Sequence, residues 1–68
     1  MERKVVDSFV VALVGEYGIV RSVEHIMWSN GKIFNKQIIY DVCLEHGDGD
    51  IVASFDKMIE ARKWAKEN

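Results

Sequence analysis

Alternation of apolar and polar residues on both sides of a glycine-containing turn is the feature that most constrains the fold of this chain. Every second position from Gln37 to Glu45 is apolar, namely Ile38, Tyr40, Val42 and Leu44. The alternation returns with Ile51, Ala53 and Phe55. A period of two is typical of strands that direct one face to a core. The intervening residues, His46-Gly47-Asp48-Gly49, can supply the positive φ angles of a tight turn. The pattern therefore predicts an antiparallel hairpin.

A helix is predicted directly after this hairpin. Asp56 is placed to accept a hydrogen bond from a free backbone N–H in the first turn, so we expect it to be the N-cap of a helix from about Lys57 to Lys66. One stripe of this helix is apolar, comprising Met58, Ala61, Trp64 and Ala65, whereas Glu60, Lys63 and Glu67 point away from it. We expect Trp64 to anchor the helix on the sheet.

The first 28 residues allow two interpretations. Apolar residues at helical spacing flank the stretch from Gly15 to Gly18, so two helices broken there are possible. The region is also rich in β-branched residues, with five valines between Val5 and Val14. We favour two strands for this reason.

Asn30-Gly31 indicates another reverse turn, because this pair tolerates the two positive φ angles of a type I′ hairpin. It would link residues 23–29 to a short arm around Ile33 and Phe34. The predicted fold is therefore α+β, an antiparallel β-meander of four to five short strands with one C-terminal amphipathic helix packed on a face. Residues 1–68 are expected to form a single small domain.

The cysteine content limits how such a small domain is stabilised. Cys43 is the only cysteine, so no internal disulfide can form, and no Cys and His cluster predicts a zinc site. A core of this size often supplies only about 3–5 kcal/mol, and natural examples commonly add subunit contacts. We therefore expect self-association or contact with another partner to stabilise the domain.

Charge and hydropathy disfavour several classes of partner. The formal net charge of −2 gives no broad attraction to nucleic acid or to an anionic membrane. Arg3 and Lys4 precede an apolar run, as in a signal peptide, but Asp7 and Ser8 interrupt it and no cleavage site follows. Together with the lone thiol, this predicts a cytoplasmic protein that does not bind membranes.

No arrangement of residues predicts catalysis, a cofactor or a metal. Cys43 lies in an alternating strand, where a thiol usually behaves as a small hydrophobe. Glu45, His46, Asp48 and Asp50 are interpreted as a polar turn, because the loop is too short for a calcium site of the EF-hand kind. We therefore expect a protein that is not an enzyme.

The candidate binding site is a segment in which bases and aromatic residues are interleaved: Arg21, His25, Trp28, Lys32, Phe34 and Lys36. Trp28 and Phe34 are typical interface anchors. Ile59 and Lys63, which lie off the helix stripe, form a possible second interface. The second faces of the strands are also expected to be apolar, with Val10, Ala12 and Val14 in one strand and Ile39 and Cys43 in another.

These features favour a non-enzymatic protein-interaction module, such as an inhibitor or adaptor of the kind encoded by phage or mobile elements, with a protein partner or a second copy as its ligand. The alternative is a small nucleic-acid-binding domain that uses the segment from Arg21 to Lys36, with bases stacking on its aromatic rings.

Overall fold

A computed structural model describes every residue from Met1 to Asn68. Its elements, in chain order, are strands β1 (Glu2–Val14), β2 (Tyr17–Met27) and β3 (Ile33–Cys43), a 3₁₀ turn (Glu45–Gly47), strand β4 (Ile51–Phe55) and helix α1 (Met58–Glu67). The strands form one antiparallel sheet in the order β1-β2-β3-β4. The predicted α+β meander with one C-terminal helix is therefore confirmed.

The ambiguous N-terminal region consists of strands, as the β-branched residues favoured. There are four strands, because the predicted short arm around Ile33 and Phe34 continues into the strand that follows it. Three of them are not short: β1 has 13 residues, and β2 and β3 have 11 each.

The core lies where α1 crosses one end of the sheet. Ile19 and Val42, which are register partners on β2 and β3, have no exposed surface. Ala61 and Ala65 of α1 are buried against them, because small side chains let the helix approach the sheet closely. Trp64 packs edge-on against Tyr17, with 5.5 Å between the ring centroids. The predicted apolar stripe of α1 is thus the stripe that meets the sheet.

The prediction for the start of this helix is wrong by one residue. Lys57, with φ −128° and ψ 135°, occupies the N-cap position, and no side chain caps the helix. Two residues are needed to carry the chain from the end of β4 onto the face of the sheet, so Asp56 lies outside the helix. The capping preference of one residue carries no information about how many residues connect the strand to the helix.

The turn at Asn30-Gly31 exists, but it is not of type I′. Only Gly31 has a positive φ, of 85°. The N–H of Gly31 donates to the carbonyl of Trp28 at 2.9 Å, and the N–H of Trp28 donates to the carbonyl of Lys32 at 2.8 Å. This is the pattern of a three-residue hairpin loop that ends in a left-handed glycine.

The predicted faces of two strands are wrong because the strands contain bulges. Between β1 and β2 the register slips at Val6 and again at Val11, and between β3 and β4 it slips at Val52. Each extra residue reverses the alternation beyond it. Ala12 and Val14 therefore pack towards the helix while Val10 faces away, and Ile51 lies on the opposite face from Ala53 and Phe55.

We call the face that carries α1 the front face and the other the back face. Register and alternation place four rows of side chains on the front face beyond the helix. In order from the helix these are the Phe9 row (Phe9, Arg21, Tyr40), the Asp7 row (Asp7, Val23, Ile38), the Lys4 row (Lys4, His25, Lys36) and the Glu2 row (Glu2, Met27, Ile33).

The molecule is elongated because its strands are longer than its helix. It measures 42 × 20 × 16 Å, and its radius of gyration is 13.1 Å, whereas a compact domain of this length has about 11 Å. The ten-residue helix extends only about 15 Å. The remaining part of β1, β2 and β3 projects beyond it as a three-stranded arm, and neither face of this arm is covered by the helix.

Candidate interaction surface

Trp28 and Phe34 form an aromatic pair at the end of the arm. Trp28 follows β2 and Phe34 lies near the start of β3, so the hairpin loop brings the two rings together. Their centroids are 4.5 Å apart and their planes meet at 62°, an edge-to-face arrangement. Trp28 is 47% exposed and Phe34 is 52% exposed. Both rings are thus held in place by each other and remain open to a ligand.

The loop beside this pair is ordered by its own hydrogen bonds. The side-chain oxygen Oδ1 of Asn30 accepts from the N–H of Lys32 at 3.0 Å, in addition to the two backbone bonds that close the loop. Lys32 is exposed. The aromatic pair therefore sits on a preorganised turn with a cation next to it, an arrangement that lowers the entropic cost of binding.

Three further predicted site residues lie on the front face of the arm rather than at its end. His25 and Lys36 are register partners, and Lys4 of β1 extends them into the Lys4 row. Arg21 is two rows closer to the helix, where its guanidinium carbon lies 5.8 Å from the centroid of the Phe9 ring, within range of a cation–π contact. The six predicted residues thus divide into an end group and a front-face group.

The front face of the arm also carries exposed apolar side chains. Phe9 is 48% exposed and Ile38 39%, and Val23 lies between them. The back face of the arm carries Val5, which is 53% exposed, but polar side chains there also bond to each other. Gln37 donates to Glu24 at 2.8 Å, and the hydroxyls of Ser8 and Ser22 are 3.4 Å apart.

The possible second interface is remote from these groups. Ile59 and Lys63 are exposed on α1, which packs at the opposite end of the sheet from the hairpin loop. From Ile19 to Met27 along β2 the separation is about 27 Å. A single small ligand cannot bridge the helix and the aromatic pair, so the two sets are separate surfaces.

Cys43 has the properties of a structural thiol. It is buried on the back face, burial raises the pKa of its thiol, and the negative charge of Asp41 raises that pKa further. A raised pKa lowers the thiolate fraction at neutral pH, and the thiolate is the nucleophile. This environment therefore suppresses nucleophilic chemistry at the only cysteine.

The loop between β3 and β4 contains the other titratable residues singled out in the sequence. Glu45 and His46 have positive φ angles of 54° and 58°, and together with Glu16 and Leu44 they line an open pocket of about 460 Å³. The structure contains no group of three or more His, Cys, Asp or Glu side chains arranged to hold a metal ion.

Sequence reasoning missed the contribution of β1 to the front face. Lys4, Asp7 and Phe9 complete rows begun by β2 and β3, but the bulge at Val6 changes which β1 residues share a face. Like Trp28 and Phe34, Phe9 is an exposed aromatic residue, and the fold brings Arg21 beside its ring. Composition could have marked it as a candidate, whereas only the register could assign it to this face.

The chain is a small α+β meander with an uncovered three-stranded arm, and comparison with known proteins does not assign it to a family. No protein-family model, no curated protein and no solved structure matches the chain. Its one helix is too short and insufficiently apolar to cross a membrane.

Proposed function

We propose that this chain is a non-enzymatic protein-interaction module, acting as an inhibitor or adaptor in the cytoplasm. The observation that carries the proposal is the preorganised aromatic pair of Trp28 and Phe34, about half exposed at the end of a projecting arm. Large rigid rings on a fixed turn bury much surface in a partner at little entropic cost. Lys32 orients the partner by its charge.

The arm supports this function by its shape. A projecting three-stranded sheet with its loop outermost can enter a concave site that a compact domain would not reach. The raised pKa and burial of Cys43 argue against a covalent mechanism, so occupation of a partner's surface is the mode of action proposed here.

The test is replacement of the aromatic anchor. Trp28→Ala should weaken partner binding by about 2 kcal/mol or more. It should lower the free energy of unfolding by less, because the ring is half exposed. A partner recovered from host extract with the wild-type chain would be purified, and its dissociation constant measured by calorimetry for wild type, Trp28→Ala and Phe34→Ala.

Leu13→Ala is the matched control, because Leu13 is an apolar side chain that is 64% exposed at the other end of the molecule. It should leave the dissociation constant unchanged. Equal losses for Leu13→Ala and Trp28→Ala, or no loss for Trp28→Ala, would show that the aromatic pair is not the anchor.

Nucleic-acid binding is the second candidate, and one observation favours it. The Lys4 row brings three basic side chains side by side on the sheet, two rows from the exposed ring of Phe9. Cations that follow phosphates beside rings that stack on bases are typical of single-strand binding surfaces. Asp7 and Glu2 on the same face, and the net charge of −2, weigh against it.

The dependence of binding affinity on salt concentration distinguishes the two candidate functions. Binding of a single-stranded oligonucleotide would weaken steeply as salt rises, with a slope of about 0.7 per neutralised phosphate in a plot of log affinity against log salt. Lys36→Gln would reduce that slope. An interface anchored by Trp28 and Phe34 would change little with salt.

A further inference from the structure

The elongated chain exposes slightly more surface in total than a compact monomer of this size normally does. The chain exposes 4771 Å², whereas a monomer of 7.8 kDa exposes about 4,400 Å². Exposed apolar side chains lie on both faces of the sheet, and those on the front face of the arm are Phe9, Ile33 and Ile38. This face is separate from the aromatic pair to which the proposed function assigns partner binding.

We propose that this face binds a second copy of the same chain, with the two arms packed face to face and antiparallel. The charge pattern of the rows supports this arrangement. Asp7 and Lys4 lie in adjacent rows of the same strand and on the same face. A two-fold axis that runs across the strands, midway between these rows, places Asp7 of each copy opposite Lys4 of the other.

The same operation matches the remaining rows. The Phe9 row of one copy lies opposite the Glu2 row of the second copy, so Arg21 lies beside Glu2, and Val23 lies opposite His25. The two helices lie at opposite ends of the pair and do not collide. Aligned sheets pack about 10 Å apart, which Lys and Asp side chains can span together.

Other registers are less favourable. An axis through the Asp7 row sets Asp7 against its own copy, and an axis nearer the helix drives the Lys4 row into α1. An axis parallel to the strands sets Lys4 against Lys36 and stacks helix on helix. The register between the Asp7 and Lys4 rows avoids both like charges and collision, and it pairs four rows, whereas an axis between the Lys4 and Glu2 rows pairs only two.

The free edge of β1 is a poorer site for a second copy. Its bulges at Val6 and Val11 bend the strand and interrupt the outward row of backbone groups that an added strand would use. The back face of the arm is also poorer, because its polar side chains bond to each other.

The predicted dimer is weak. Four rows spaced two residues apart across three strands cover about 27 by 14 Å, or about 400 Å² of flat footprint per copy. Standard stable interfaces bury about 800 Å² per partner. The dimer should therefore dissociate on dilution, which makes charge substitutions easy to measure by sedimentation.

The test is an exchange of charges between copies. Asp7→Lys places Lys against Lys4, and Lys4→Glu places Glu against Asp7, so each variant alone should self-associate at least about tenfold more weakly than wild type. An equimolar mixture of the two variants should form heterodimers with near wild-type affinity, because both contacts are then between opposite charges. Arg3→Glu, on the back face of the same strand, is the control and should not change self-association.

A further variant distinguishes a face-to-face dimer from a dimer that pairs through the edge strand β1, since edge pairing could also bring Lys4 near Asp7. Ile38→Ser, in β3, should weaken the face-to-face dimer and leave an edge-paired dimer intact. Circular dichroism of each variant checks that it is folded. A wild-type chain that stays monomeric at high concentration overturns the proposal, as does heterodimer rescue combined with an unaffected Ile38→Ser variant.

Discussion

Gly18 is the position where one added methyl group should disturb this fold most. It is buried in β2, and the loop between β3 and β4 lies directly on it. A Cβ atom at this position would overlap the backbone of His46 and Gly47. Backbone cannot rotate aside as a flexible side chain can, so Gly18→Ala must lift the loop from the back of the sheet.

The cost follows from what the loop loses. Forcing a group into a filled site costs about 1–3 kcal/mol. Moving the loop also breaks the bond from the N–H of His46 to the carbonyl of Glu16, 2.9 Å long, at about 1 kcal/mol. The smaller entropy of unfolded alanine offsets about 0.4–1 kcal/mol. The expected net loss is about 2–3 kcal/mol, a large share of the stability of so small a core.

Urea unfolding followed by circular dichroism measures this loss, and hydrogen exchange at the His46 amide reports the loop. Gly31→Ala is the control, because it meets no atom within 4 Å and suffers only from its φ of 85°. It should cost about 1 kcal/mol and leave His46 protected. The reasoning is refuted if Gly18→Ala costs less than this control, or if its His46 amide keeps full protection.

Two further predictions concern the core and the thiol. Val42→Ala should lower the free energy of unfolding by about 2–3 kcal/mol in urea titrations, because Val42 is wholly buried between sheet and helix, whereas Ile59→Ala should change it by less than about 0.5 kcal/mol. Because the folded state raises the pKa of Cys43 above its usual value of 9.0, the folded chain holds that proton more tightly. The resulting stability is complete below pH 9 and is lost as pH rises through the raised pKa. Melting temperatures of wild type and Cys43→Ala should therefore converge in alkaline solution, and a constant difference from pH 7 to 11 would contradict this.

The candidate surface was only partly readable from the sequence. Trp28 and Phe34 could be located on either side of an Asn-Gly turn, where an aromatic ring can belong to the core or to a contact site, so their exposure could not be predicted. Their mutual packing and their separation from Arg21 could not be predicted either, since both depend on the register of β2 against β3. The Lys4 row is a product of that register and of the bulge at Val6.

The sequence by itself determined the elements after the first 28 residues: the alternation from Gln37 to Glu45, the helical stripe ending at Ala65 and the glycine turns are local patterns that neighbouring residues enforce. Tertiary structure decided which face each strand residue joins, because a bulge depends on the partner strand and reverses the alternation beyond it. It also decided what remains uncovered. A helix of about 15 Å on a molecule 42 Å long must leave an arm bare, and that mismatch arises only when strands and helix are assembled.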